Sequence, residues 1–195
     1  MTVLGSRPDT LRASGLVLGS RRLAAVGVFG VFGFAVALAA ASQVAIPIPG
    51  TPVPMTLQPL IVVLAGLMLG PTLGAASMVL FLAVGAAGVP VFAPGGAPGV
   101  ARLLGPTGGY LIAFPVAAYV AGFVAARKPT LLGRWVAAML GMVVIFVGGL
   151  SQLTILTGSV RQAIALGITP FAALDVVKAL AAALIARPRV RSAQD

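Results

Sequence analysis

Asp175 and Lys178 are the side chains with which this chain could handle a polar ligand. Asp175 is the only acid between Asp9 and Asp195, and Lys178 follows it by three residues inside an otherwise apolar run. A separation of three puts both side chains on one face of a helix, where they pair with each other or share a guest. A charge in hydrocarbon costs about 2.5–3.5 kcal/mol on insertion scales, so neither belongs on a lipid-facing surface. Two readings follow: an ion pair that locks the helix against a neighbour, or a polar contact for a bound ligand. The rest of the inventory narrows the chemistry. The chain has no His, no Cys and no Glu, which removes the usual general bases and most metal ligands. A hydrolytic or metal-dependent site would have almost nothing to be built from.

Other side chains could serve a binding site. Tyr110 follows Gly108 and Gly109, and could turn its hydroxyl inward or sit in an interfacial aromatic belt. Arg102 lies in a Gly/Pro-rich segment and could meet a ligand carboxylate or remain a solvated loop charge. Gln58 and Thr56 follow a Pro-rich segment and could hydrogen-bond a ligand or cap a helix. Phe92 could pack on a ligand or anchor its own loop. Ala35 and Ala39 are four apart, with Gly33, Ala37 and Ala41 on an adjoining stripe. Such small-residue surfaces let another helix approach closely.

The elements that must position these residues follow from composition. With 59% hydrophobic and 8% charged residues, a water-soluble fold would be one continuous apolar patch, so the bilayer is the expected solvent. Backbone groups must then be paired internally, by helices or by a closed barrel. A barrel needs alternating apolar and polar residues, whereas these runs are apolar on all sides and rich in Ala, Leu and Gly, which sets the barrel aside. The expected fold is an all-α polytopic membrane protein of six transmembrane helices. The runs are 23–44, Leu57–Leu69, Leu73–Gly88, Tyr110–Ala126, Trp135–Thr157 and Ile168–Ala186. The second and third are short for a span, and either extend into their flanks or form a re-entrant hairpin; two spans are expected.

The run after Arg21 and Arg22 is longer than a signal-peptide core, which favours a first span over a cleaved leader. Residues 1–22 read as a cytoplasmic leader, 23–186 as the membrane domain and 187–195 as a basic cytoplasmic tail. The prolines of Ile46–Pro54 rule out helix there and predict an outer loop or short extended segment. Val89–Gly109 is an irregular Gly/Pro stretch of the length that usually binds or gates something.

Charge sets the orientation. With the N-terminus inside, Arg7, Arg12, Arg21, Arg22, Arg127, Lys128, Arg134, Arg187, Arg189 and Arg191 all fall on the cytoplasmic side, and Arg102 and Arg161 on the outer side. Both termini are then cytoplasmic. The net charge of +10 is accounted for by this asymmetry, and no nucleic-acid partner is expected. A cavity below the two outer loops would hold the Asp175–Lys178 pair, since irregular backbone at membrane depth is tolerated where it lines a cavity. Asp175 and Lys178 are expected about 10–15 Å below the outer end of the last helix, if that helix enters near Ile168.

Several motifs in order carry a family resemblance: QVAIPIPGTPVPMTLQ at Gln43–Gln58, LAGLMLGP at Leu64–Pro71, GAAGVPVFA at Gly85–Ala93, LGPTGGY at Leu104–Tyr110 and PFAALDVVK at Pro170–Lys178. Over roughly residues 30–186 the chain resembles the BioY family, the biotin-binding S component of energy-coupling-factor transporters. The resemblance implies a six-helix subunit of the bacterial inner membrane that is not an enzyme and uses no cofactor. It would capture biotin near the outer face and dock on a transmembrane coupling subunit driven by two ATPase subunits.

Carried over, Asp175 and Lys178 match positions near the ureido ring, Tyr110 the aromatic after the fourth-helix turn, and Ala35 and Ala39 the docking motif. Pro94 and Arg102 have no assigned counterpart in that pattern. The chain has no phosphate-binding loop, so ATP hydrolysis belongs to a partner. The alternatives are an S component for another small vitamin or a biotin precursor, and a structural membrane partner. A membrane enzyme acting on lipid would want clustered carboxylates or a His, which the chain lacks.

Overall fold

A computed structural model describes residues 10–186, with side chains described from Val26 onward. In order along the chain come α1 (Thr10–Gln43), β1 (Ala45–Ile46), β2 (Met55–Thr56), α2 (Gln58–Leu69), α3 (Pro71–Ala86), α4 (Val100–Leu104), α5 (Gly108–Arg127), α6 (Leu131–Thr157), α7 (Val160–Gly167) and α8 (Ala172–Ile185). Helices dominate, as the all-round apolar runs require. Val26–Gln43 of α1, all of α5 and all of α6 are long and apolar enough to cross a membrane. Helices α7 and α8 are bent by 54° at their break and together make a fourth such unit. Helices α2 and α3 are apolar but have 12 and 16 residues, below the ~20 that a straight span needs.

Three expectations are corrected here. The first helix does not start at residue 23, because α1 already runs from Thr10; no proline interrupts the chain between Pro8 and Pro47, and arginines are good helix formers. Only residues 1–9 of the expected leader, with the tail 187–195, lie outside the described residues. The irregular stretch Val89–Gly109 contains one turn and a half of helix, α4. The helix expected from Ile168 starts at Ala172 as α8, and a separate helix precedes it, α7, capped by the Ser159 hydroxyl accepting the Gln162 N–H.

The Pro-rich segment is a two-rung antiparallel hairpin pairing Ala45 with Thr56 and Ile46 with Met55. Between them, Pro49 and Gly50 turn the chain: Gly50 has φ +86°, and the Thr51 N–H donates to the Ile48 carbonyl at 3.3 Å. Pro followed by a positive-φ Gly is the signature of a type II turn.

Packing relies on small residues. A Cβ on Gly66 of α2 would overlap the Ala118 carbonyl of α5, and one on Gly109 of α5 would overlap the Gly148 carbonyl of α6. Close backbone approach lets α5 pack against both neighbours by van der Waals contact, the main attraction available between helices in lipid. Gly66→Ala is therefore expected to force α2 from α5 and cost about 1–3 kcal/mol, read as a lowered Tm of the purified protein in detergent.

Candidate functional site

Asp175 lies in the first turn of α8, where the partial positive charge of a helix N-terminus favours a carboxylate. Lys178 Nζ donates to Asp175 Oδ1 at 2.6 Å, and their side chains are 12% and 7% exposed. Because α8 starts at Ala172 and not at Ile168, Asp175 sits about 4.5 Å past the start of its helix at 1.5 Å per residue.

Both side chains line a cavity whose polar wall also includes Gln58, Arg102 and Tyr110. Each is brought there by a helix start or a loop. Gln58 begins α2; its Oε1 accepts the Thr56 hydroxyl at 3.2 Å, and its Nε2 is buried with no hydrogen-bond partner among the described residues. Thr56 in turn accepts the Gln58 N–H at 3.3 Å, holding the entry to the helix. A buried donor without an acceptor is costly, and this one belongs to a residue of the cavity wall. Arg102 of α4 is 8% exposed and donates from Nη2 to the Ala93 carbonyl. Gly96 lies so close that a Cβ there would overlap the guanidinium. Burial lowers the Arg102 pKa from its ordinary value, yet guanidinium stays protonated in proteins. Arg102 is thus a buried cation of the wall, not a solvated loop charge.

Tyr110 lies in the first turn of α5, and its hydroxyl donates to the Gly167 carbonyl at 2.8 Å; its ring lies against Gly149, where a Cβ would overlap it. It walls the cavity while tethering α7. Phe92 is not part of the wall. It packs edge-on against Phe81 at 5.4 Å and 79° and fills the space over Gly85, as a loop anchor does. On α1, Ala35 is buried and Ala39 half-buried, whereas Phe29, Phe32 and Val36 face outward.

Residues not singled out in the sequence complete the site. Phe114, Ile145, Phe146 and Phe171 supply apolar wall, with Val53 and Pro54 from the hairpin. Phe114 lies one turn beyond Tyr110 and Phe171 one turn before Asp175, spacings that could have flagged them. Two glutamines hold the loop that carries Arg102. Gln43 Nε2 lies 3.3–3.4 Å from the carbonyls of Pro90, Val91 and Phe92. Gln152 Nε2 lies 3.0–3.5 Å from those of Leu103, Leu104 and Gly105. Chemically the site combines an acceptor, an unpaired amide donor, two cations and an aromatic wall.

A sequence model of the BioY family matches residues 13–195. The probable biotin transporter BioY of Pyrococcus horikoshii is 41% identical over 135 residues, covering 69% of this chain and 79% of that one. The biotin transporter BioY of Thermotoga maritima is 34% identical over 141 residues, covering 72% and 83%. The crystal structure of the S-component for biotin from an ECF-type ABC transporter is similar with TM-score 0.74 over 93% of both chains. At 24% identity that likeness is one of fold.

The ion pair makes a test independent of any ligand. Breaking a buried pair costs about 3–5 kcal/mol, whereas replacing both partners with apolar groups costs far less. Asp175→Leu and Lys178→Met are each expected to lower Tm more than the double variant does, in thermal melts of the ligand-free protein.

Proposed function

The chain belongs to the BioY family, and on that premise we propose that it is the substrate-binding S component of a biotin uptake transporter, a binding subunit and not an enzyme. The observation that carries the ligand assignment is the buried Gln58 amide, whose Nε2 has no partner among the described residues, set in one cavity with one carboxylate and two cations. Biotin is an anion at neutral pH, with a fused bicycle whose ureido group offers N–H donors and a carbonyl, and an apolar valerate arm. Asp175 accepts from the ureido N–H groups, Lys178 or Gln58 Nε2 donates to the ureido carbonyl, and Arg102 pairs with the valerate carboxylate. Phe114, Phe146 and Phe171 cover the apolar parts. One acid against two bases leaves the wall with net positive charge, matching an anionic guest. Tyr110 contributes its ring to the wall.

In this reading α1, α2, α3, α5, α6 and the bent α7–α8 unit are six spans of the cell membrane. Arg127 and Lys128 close α5 at the end opposite Tyr110; with these basic residues on the cytoplasmic side, as the positive-inside rule favours, the cavity opens toward the outer face and both termini are cytoplasmic. The partners are a transmembrane coupling subunit docked on α1 and two ATPase subunits that supply the energy this chain has no phosphate loop to extract. Ala39 is the docking position open to that partner, beside Gly33 and Val36, because Ala35 is turned inward.

Equilibrium binding of biotin to the purified chain in detergent tests the proposal. A Kd below micromolar is expected, and competing vitamins should not displace biotin at equal concentration. Asp175→Asn and Lys178→Ala should each weaken binding about tenfold or more, the size of one lost hydrogen bond to a charged group. No saturable binding, or full affinity in both variants, would overturn the assignment.

A further inference from the structure

Thr51 stands at the tip of the β1–β2 hairpin, directly after the Pro49–Gly50 turn. Its hydroxyl accepts the Val53 N–H at 3.1 Å and donates to the Leu166 carbonyl at 2.7 Å, across a separation of 115 residues. Leu166 lies in the last turn of α7, where carbonyls have no donor ahead of them in the helix. The next carbonyl, Gly167, takes the Tyr110 hydroxyl at 2.8 Å, and that of Ile164 takes the N–H groups of Ile168 and Thr169, both at 3.1 Å. Helix α7 is therefore ended by hydroxyls from two other elements. The chain then bends by 54° into α8 and reaches Asp175 and Lys178 within two turns.

The Thr51 bond joins two segments that both contribute to the wall of one cavity. Val53, Pro54 and Thr56 come from the hairpin, and Phe171, Asp175 and Lys178 follow α7 in the chain. Thr51 does not line the cavity. We propose that Thr51 is a positioning residue: it fastens the hairpin to the α7–α8 corner, fixing how these two parts of the wall sit against each other and so the time a guest is retained. The retention role rests on the biotin-binding reading; the fastening itself does not. Substituting Val for Thr removes the hydroxyl at nearly constant shape and leaves the Leu166 carbonyl without its donor, whereas Ser keeps that donor.

The test uses the full chain, with Thr51→Val and Thr51→Ser beside the unmodified protein. Labelled biotin is bound and chased with excess unlabelled biotin. Thr51→Val should release it about three- to tenfold faster, the size of one neutral hydrogen bond, with association unchanged, and Thr51→Ser should restore slow release. In the ligand-free protein, amide hydrogen exchange should rise in both the hairpin and residues 164–175 for Thr51→Val and not for Thr51→Ser. Unchanged release with unchanged exchange would overturn the proposal, as would a Thr51→Ser variant that behaves like Thr51→Val. Absence of biotin binding by the unmodified chain would sink the binding reading and the retention role with it, while the exchange comparison still decides the fastening.

Discussion

A carboxylate and an ammonium held in apolar surroundings constrain everything around them. Withdrawing either from water costs several kcal/mol, which mutual attraction offsets only when the geometry is good and the remaining polar atoms have partners. Here the geometry is set by backbone: a spacing of three along α8 brings Nζ to 2.6 Å from Oδ1, and the start of the helix favours the acid. Where α8 starts depends on the break after α7, and the end of α7 is held by Thr51 and Tyr110. The position of one ion pair is thus tied to the Pro-rich hairpin and to the first turn of α5.

The same logic explains why polar side chains sit at the ends of helices. Segments rich in Gly and Pro cannot pair their own carbonyls, and buried carbonyls need partners. Ser42 and Gln43 at the end of α1 reach the 90–92 carbonyls, and Gln152 near the end of α6 reaches those of 103–105. Rigid helices, brought close by glycine, thereby hold loops that have little structure of their own. Arg102 is placed by this arrangement, with Ala93 and Gly96 from the same loop closing around it.

The long helices were legible because apolar runs of that length have one physical solution in lipid, and the ion pair was legible because charge is so rare in the chain. Helices α4 and α7 were not, since five and eight residues between glycines and prolines are too few to show a period. Ile145 and Phe146 were hidden for another reason: on a helix apolar all round, nothing in the pattern separates the face toward a cavity from the face toward lipid. Tyr110 and Phe92 each left two readings open, and the glycines opposite them decided where each ring lies. Gly149 receives the Tyr110 ring in the cavity wall, and Gly85 receives Phe92 outside it. The roles of Gln43 and Gln152 depend on which loop comes near, which no local spacing encodes.

The polar groups of the cavity are unbalanced. Lys178, Arg102 and Gln58 Nε2 offer more donors than the Asp175 carboxylate and the Gln58 amide oxygen can accept, and that oxygen is already engaged by Thr56. A guest that brings acceptors to such a wall gains from groups whose desolvation has already been met by the fold. Discrimination follows the same asymmetry. A site with a buried donor rejects a molecule lacking the matching acceptor far more strongly than an apolar wall rejects one missing a methylene. In the proposed reading, the ureido carbonyl and the valerate carboxylate therefore carry most of the selectivity, and the aromatic wall contributes affinity with little discrimination.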